Sequence, residues 1–108
     1  MMETMQAISP RILADWKKTG VAHQLIDIRE QYEVDTCSIG GTHMPMDEIV
    51  KRTAEILLDV PVIIHCKSGR RSEAVVAHLN GMGFNNVSSL EGGIMAWIDT
   101  IDPTLEKY

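Results

Sequence analysis

The chain has 108 residues, of which 44% are apolar and 23% are charged, and its formal net charge is -5. This composition predicts one globular domain, residues 1–108, and excludes a disordered chain. The acidic balance argues against a nucleic-acid surface, and no apolar run is long enough to span a membrane.

The first residues and the cysteines indicate the cellular compartment, and the cysteines and histidines indicate whether disulfides or metal sites are expected. Residues 1–8 include Glu3 and lack a charged start followed by an apolar stretch, so no secretory signal is visible and the cytoplasm is expected. Cys37 and Cys66 are too few for a disulfide scaffold, and free thiols are expected. The four histidines show no paired ligand spacing, so we expect no metal and no cofactor. A monomer is the default for so small a chain.

Predicted strands alternate with predicted helices along the chain. Ser9 offers an N-cap, Pro10 a first helical residue and Gly20 a helix end. The apolar run 60–64 has the pattern of a central parallel strand. The expected order is strand 5–8, helix from Pro10 to Gly20, strand 24–28, helix 30–36, an edge strand within 39–45, a helix opened by Asp47 with Ile49, Val50, Ala54 and Leu57 at helical spacing, strand 60–64, helix 72–82, strand 86–90 and a last helix with Ile94, Trp97, Ile98 and Ile101 on one face.

This alternation predicts an α/β fold with a mostly parallel five-stranded sheet and helices on both faces. In such sheets ligands bind beyond the carboxyl ends of the strands. Cys66 follows the strongest predicted strand directly and precedes a predicted helix. The loop that begins at Cys66 is therefore the candidate site.

A cysteine in this position has its thiolate favoured by backbone N–H groups and by the helix dipole. Lys67, Arg70 and Arg71 add positive charge, and Gly69 permits a sharp turn. The thiolate is the nucleophile, and the same cradle would hold an extra anionic sulfur or an oxyanion. The alternative from pattern alone is a buried structural thiol inside a solvated basic loop.

Residues 65–72, His-Cys-Lys-Ser-Gly-Arg-Arg-Ser, resemble the active-site loop of rhodanese domains. Residues 25–30 are similar to the family's Asp-Val-Arg-Glu segment, and residues 39–45 and 90–97 also resemble family segments, in the same order. The resemblance covers nearly the entire chain and implies a rhodanese-like three-layer fold. The Gly-Gly turn and the tail are most similar to rhodanese domains of enzymes that activate sulfur-carrier proteins. The chain has no Gly-rich phosphate-binding motif, so no ATP-dependent step is expected within it.

The resemblance implies a two-step sulfur transfer. Cys66 would attack an anionic sulfane donor such as thiosulfate, release sulfite and hold a persulfide. Cyanide, a thiol or a protein acceptor would then remove the outer sulfur. Arg70 and Arg71 are both candidates for holding the donor's sulfonate, and which of them faces the pocket stays open. The residues expected to bind the substrate are Lys67, Ser68, Gly69, Arg70, Arg71 and Ser72.

Two other functions compete with this interpretation. Cysteine phosphatases and arsenate reductases have five residues between cysteine and arginine, whereas four separate Cys66 from Arg71, and Ser72 stands at the phosphatase arginine position. The loop therefore suits a sulfur atom better than a phosphate. The other competitor is a module that binds a partner or carries sulfur without turnover, against which the retained cysteine and basic loop argue.

Several residues near the loop favour structural roles. Asp27 and Arg29 are expected to form an internal salt bridge. His65 is expected to be a hydrogen-bonded core histidine on the face opposite to Cys66. Cys37 is expected to be a small buried side chain, with a relay thiol as the alternative. The tail 102–108 is expected to be a solvated end.

Overall fold

A five-stranded sheet organises the chain in this computed structural model, which describes residues 7–108. The strands β1 to β5 lie in the order β1-β5-β4-β2-β3, and every pairing is parallel. The predicted sheet is confirmed and is parallel throughout. Of the predicted first strand, residues 5 and 6 lie outside the described part. The strands are β1 Ala7–Ile8, β2 Gln24–Asp27, β3 Thr42–His43, β4 Val62–His65 and β5 Val87–Leu90.

Within residues 7–108, three α-helices and one 3-10 helix connect these strands, and a fourth α-helix follows the last strand. None of the helices within residues 7–108 is long and apolar enough to cross a membrane. The same residues hold no group of three His, Cys, Asp or Glu side chains arranged to bind a metal ion. The helices are α1 Pro10–Thr19, α2 Gln31–Thr36, the 3-10 helix Ile49–Glu55, α3 Arg70–Gly81 and α4 Gly93–Thr100.

The predicted boundaries of α1 are confirmed. The Ser9 hydroxyl accepts the N–H of Ile12 at 3.2 Å, and Pro10 occupies the first turn. Gly20 ends the helix, with its N–H donating to the carbonyl of Trp16 at 2.9 Å. The N-cap, the first-turn proline and the final glycine are local signals, which explains why sequence alone locates them.

The sheet has an apolar core on each face, because successive residues of a strand point to opposite sides. In β4, Ile63 faces α1 and α4, while Val62 and Ile64 face α3. Helices therefore cover both faces, as predicted. The core residues beside α1 and α4 are Ile8, Leu13, Leu25, Ile63, Leu90 and Trp97; those beside α3 include Ile26, Ile49, Val62, Ile64, Val75, Val76, Leu79 and Val87.

The α-helix predicted from Asp47 is wrong, because this segment forms a 3-10 helix with a kink at Arg52. Val50 and Leu57, which the helical spacing placed on a buried face, are 51% and 46% exposed. The Gln24 side chain donates to the carbonyl of Glu55 and accepts the N–H of Leu57, both at 2.9 Å. These bonds end the helix and lead the chain back toward the sheet.

The helix after Cys66 begins earlier than predicted. It starts at Arg70 instead of residue 72, so Arg70 and Arg71 belong to its first turn. The strand before it ends at His65, one residue beyond the prediction. Cys66 therefore follows β4 directly, and three residues, Lys67, Ser68 and Gly69, lie between it and α3.

Candidate active site

Cys66 lies at the carboxyl end of the central strand, where the loop curls back over its sulfur. The Sγ atom accepts the backbone N–H of Gly69 at 3.2 Å and that of Ser72 at 3.4 Å. Gly69 adopts φ +105°, a left-handed conformation that glycine accepts without steric cost. Two amides and the start of α3 thus direct partial positive charge at the sulfur.

A pair of buried serine hydroxyls completes the surroundings of the sulfur. Ser72 Oγ lies 3.6 Å from Cys66 Sγ, 3.1 Å from the Gly69 carbonyl and 2.7 Å from Ser89 Oγ, and both serines have no exposed surface. As a thiol, Cys66 donates to Ser72; toward a thiolate, the Ser72 hydroxyl turns to donate instead. The Gly69 carbonyl still accepts the N–H of Glu73 at 2.9 Å when the Ser72 hydroxyl turns away from it. Neither the thiol nor the thiolate form of Cys66 therefore leaves a buried polar group without a hydrogen bond.

The first turn of α4 holds the loop from the other side. The N–H groups of Ile94 and Met95 donate to the carbonyls of Cys66 and Lys67 at 2.9 and 3.1 Å. Gly93 makes this approach possible, since it adopts φ +61° and a Cβ there would overlap the Lys67 carbonyl. The absence of a side chain at Gly93 therefore lets α4 pack closely against the loop.

Arg71 is held by a buried carboxylate. Its guanidinium donates to both oxygens of Glu33, at 2.8 and 2.9 Å, and the Glu33 side chain is 3% exposed. These hydrogen bonds outweigh burial and lower the pKa of Glu33 to about 2, so Glu33 stays ionised at neutral pH. Arg70 is exposed, and no ion pair joins it to another residue in the range 7–108.

Tyr108 lies against this ion pair, so the prediction of a solvated tail is wrong for its last residue. The Tyr108 hydroxyl donates to Glu33 Oε2 at 2.7 Å and accepts from Arg29 Nη1 at 3.1 Å. Its ring lies 4.6 Å from the ammonium of Lys67. Leu105 packs against the core, which brings the tail to this position. Burial raises the pKa of Tyr108 to about 12, and the hydroxyl remains protonated.

Asp27 and Arg29 form a fully buried ion pair below the loop. The guanidinium of Arg29 donates to both carboxylate oxygens of Asp27, at 2.8 to 3.2 Å, and also to the carbonyls of Glu33 and Cys37. Burial raises the pKa of Asp27, but the hydrogen bonds from Arg29 and the nearby charges outweigh it and hold the pKa below its ordinary value.

His65 is buried as predicted but is not hydrogen-bonded. Neither ring nitrogen has a hydrogen-bond partner among residues 7–108, and Nε2 lies 3.6 Å from Asp27 Oδ2. Burial lowers the pKa of His65 to about 4, although the negative charge of Asp27 opposes this shift.

Cys37 lies in an apolar setting. It is 7% exposed and packs in a cluster with Ile94 and Ile98, and both cysteines are free thiols. Its backbone carbonyl, instead of its thiol, contributes to the polar network by accepting from Arg29 at 2.7 Å. The buried thiol has the surroundings of a small apolar side chain.

Comparison with known proteins settles the family. Residues 9–100 match the rhodanese-like domain family. The chain belongs to the rhodanese family. It is 32% identical over 104 residues to "Probable adenylyltransferase/sulfurtransferase MoeZ" of Mycobacterium tuberculosis, an alignment that covers 94% of this chain and 26% of that protein. The chain thus spans about a quarter of that relative.

Two further rhodanese relatives have nearly the same length as this chain. "Thiosulfate sulfurtransferase GlpE" of Pseudomonas paraeruginosa is 31% identical over 98 residues, covering 90% of this chain and 87% of that protein. The crystal structure of a rhodanese-like domain protein from Staphylococcus aureus superposes with a TM-score of 0.80 at 27% identity, covering 96% of this chain and 99% of that one. The fold and the sulfurtransferase family are therefore shown for this chain.

Three residues of this rhodanese site cannot be found from sequence patterns. Glu33 sits in a predicted short helix, Ser89 in a predicted strand and Tyr108 in the tail. Their partners Arg71, Ser72 and Lys67 are at least 17 residues away in sequence, so no local pattern joins them. Only Glu33 offers a partial signal. A glutamate in a helix of six residues requires a cation as partner if the fold buries it.

The buried His65 predicts a defined loss of stability in mild acid. Its pKa in the folded protein, about 4, lies below the ordinary value near 6.5, so the unfolded chain binds the proton more tightly. The full stability is present above pH 6.5, and about 3 kcal/mol is lost as the pH falls toward 4. Chemical denaturation between pH 7.5 and 4.5 should show this fall in the free energy of unfolding for the wild type and not for His65→Leu. The same pH dependence in both proteins would contradict the lowered pKa of His65.

Gly93→Ala should disturb the Cys66 loop. The added methyl group meets the Lys67 carbonyl and also requires a left-handed alanine, so we expect a cost above about 2 kcal/mol. Gly40→Ala is the matched control: Gly40 has φ +89° with nothing within 4 Å of an added methyl group, so the cost should be about 1 kcal/mol. Thermal unfolding measures both, and equal destabilisation would mean that the close approach of α4 to the loop is unimportant.

Proposed function

We propose that this rhodanese transfers sulfane sulfur through a persulfide on Cys66. The observation that carries the proposal is the Cys66 sulfur itself, which receives two backbone N–H groups at a strand–helix junction. Such a cradle stabilises a thiolate as attacking group, and it also stabilises a thiolate as leaving group. Sulfur transfer requires both, because Cys66 is the attacking group when it takes sulfur from the donor and the leaving group when the acceptor removes it.

The reaction divides into two substitutions at sulfur. The Cys66 thiolate attacks the outer sulfur of thiosulfate; an S–S bond forms, the S–S bond of the donor breaks, and its electron pair leaves with sulfite. A nucleophile then attacks the outer sulfur of the persulfide, and the electron pair of that S–S bond returns to Cys66. The enzyme ends as it began, so no cofactor is needed and no external oxidant or reductant is consumed.

The loop charges support a small anionic donor. Of its three cations, Arg71 is paired with Glu33, whereas Lys67 and Arg70 have no carboxylate partner within residues 7–108. We therefore assign the sulfonate of the donor to Lys67 and Arg70. Arg71 has a different task, since its ion pair with Glu33 orders the loop. Ser68 is exposed, whereas Gly69 and Ser72 are buried and donate their N–H groups to the sulfur.

The relatives support the choice of donor and acceptor. One relative carries thiosulfate in its name, and another combines adenylyltransferase and sulfurtransferase in one chain. We propose thiosulfate as the donor in the test tube and cyanide, a thiol or a protein as the acceptor. The two free cysteines fit a reducing compartment, and we propose the cytoplasm.

The arrangement disfavours phosphate transfer. A phosphatase would need an arginine at position 72, where a buried serine bonds to Gly69 and Ser89. Arg71 is turned to Glu33, which accepts one N–H from each of its terminal nitrogens. The serine at position 72 supplies no guanidinium for the equatorial oxygens of a phosphate.

Intact mass tests the persulfide. After incubation with thiosulfate, the wild type and Cys37→Ala should gain one sulfur atom, and Cys66→Ser should gain none, because Cys66 alone lies in the amide cradle. Cyanide should then remove the added sulfur as thiocyanate. Sulfur uptake by Cys66→Ser, or by Cys37 in its place, would overturn the mechanism; no uptake by the wild type would favour a binding module.

The two arginines should separate in their effects. Arg70→Gln should raise the KM for thiosulfate by about fivefold with little change in stability, since it removes an exposed cation. Arg71→Gln should lower the free energy of unfolding by about 2 kcal/mol, because it leaves Glu33 buried and unpaired. Steady-state kinetics and denaturant unfolding distinguish them, and Glu33→Gln should restore part of the stability of Arg71→Gln. An unchanged KM in Arg70→Gln would remove that residue from donor binding.

A further inference from the structure

Tyr108 contacts Lys67 at one end of the Cys66 loop and is linked to Arg71 at the other end through Glu33, although it follows Cys66 by 42 positions in the chain. Its ring lies beneath the ammonium of Lys67, at 4.6 Å from the ring centroid, and Lys67 is the residue directly after Cys66. Its hydroxyl donates to Glu33, which in turn holds Arg71 in the first turn of α3. Tyr108 itself is half-buried and fixed, because Arg29 donates to its oxygen.

The contact of Arg71 with Glu33 and the contact of Lys67 with Tyr108 have different electrostatic consequences. Arg71 is bound by a carboxylate, which positions the guanidinium and cancels its charge. Lys67 is bound by an aromatic face, which positions the ammonium without adding a negative charge. No acidic side chain within residues 7–108 forms an ion pair with Lys67.

A lysine side chain without a partner spreads its charge over many rotamers, at an entropic cost if an anion has to order it. The contact with Tyr108 orders Lys67 before a ligand arrives. The ammonium is then a fixed positive charge on the residue next to Cys66 in the chain, and preordering of this kind lowers the entropic cost of binding an anion.

We propose that Tyr108 is a positioning residue that sets the preference of Cys66 for anionic reaction partners by holding Lys67 beside it. The inference rests on the proposed function, in which an anionic donor reaches Cys66, and it identifies a specificity-determining residue outside the loop. Tyr108 does not contact the reacting sulfur; it acts through Lys67.

The test compares two alkylating reagents that differ in charge. Iodoacetate and iodoacetamide react with the same thiolate, so the ratio of their rates at Cys66 reports the local potential and is independent of the thiolate fraction. The full chain carrying Cys37→Ala serves as the parent, and peptide mass spectrometry confirms the modified residue. Tyr108→Gln removes the ring but keeps a polar group for Glu33 and Arg29, whereas Tyr108→Phe keeps the ring and removes the hydroxyl.

We expect Tyr108→Gln to lower the iodoacetate-to-iodoacetamide ratio by about 2- to 5-fold, the equivalent of an exposed cation–π contact. Tyr108→Phe should leave the ratio within error of the parent. In a Lys67→Gln background the ratio should already be low, and Tyr108→Gln should not lower it further. Tyr32→Gln is the matched control, since Tyr32 is 70% exposed on α2.

Three outcomes overturn the proposal: an unchanged ratio in Tyr108→Gln, an equal fall in the Lys67→Gln background, or an equal fall in Tyr108→Phe. Thermal unfolding shows whether each variant is folded. If Tyr108→Gln does not fold, two other measurements test the proposal. In the wild type, the Lys67 methylene protons should show an upfield ring-current shift by NMR. Lys67→Gln should lower the iodoacetate-to-iodoacetamide ratio. Absence of either result also overturns the proposal.

The outcome is distinguishable from a failure of the proposed function. Alkylation uses the resting thiol, whereas the persulfide is measured by mass after incubation with thiosulfate. A wild type that takes up no sulfur, with ratios as expected, would remove the sulfur-transfer function and keep the positioning role of Tyr108. Sulfur uptake with an unchanged ratio in Tyr108→Gln would remove Tyr108 alone.

Discussion

The buried guanidinium of Arg29 is the constraint on which the site depends. It has no exposed surface, so each of its N–H groups must find an acceptor inside the protein. It finds them in the carboxylate of Asp27 at the end of β2, in two carbonyls of the α2 segment, and in the hydroxyl of Tyr108. One side chain thereby fixes a strand end, a short helix and the tail relative to one another.

The consequences reach Cys66 in two steps. Once α2 is fixed, Glu33 points inward and can be buried only with a cation, which Arg71 supplies from the first turn of α3. That pair anchors α3, and α3 presents the Gly69 and Ser72 amides to the sulfur. A buried ion pair adds little net stability because of its desolvation cost, and its value here is that it permits one arrangement and penalises the others.

The sequence predicts the parts of this structure that local signals specify. Pro10 after Ser9 locates a helix start, and the apolar run before Cys66 locates the central strand, so the order of elements is predicted correctly, as is the position of the Cys66 loop between a strand and a helix. Contacts between distant segments decide the remainder. The 3-10 helix after Asp47 ends where Gln24 bonds to Glu55 and Leu57, which are more than 30 positions away in the sequence. Tyr108 binds Glu33 across 75 positions, which no composition of the tail reveals.

The site uses two ways of ordering a cation, and their difference explains the charge that remains at the loop. A carboxylate holds Arg71 strongly, and the pair has no net charge to offer an incoming anion. An aromatic ring holds Lys67 more weakly, but the ammonium keeps its full charge. If Lys67 had a carboxylate partner as well, Arg70 would be the only cation without one in residues 66–72, and the loop would have less positive charge to set against the net charge of -5. If neither Lys67 nor Arg71 had a partner, their charges would be present but their side chains would be mobile. One ion pair and one cation–π contact together order these two side chains and leave the ammonium of Lys67 uncompensated on the residue next to Cys66.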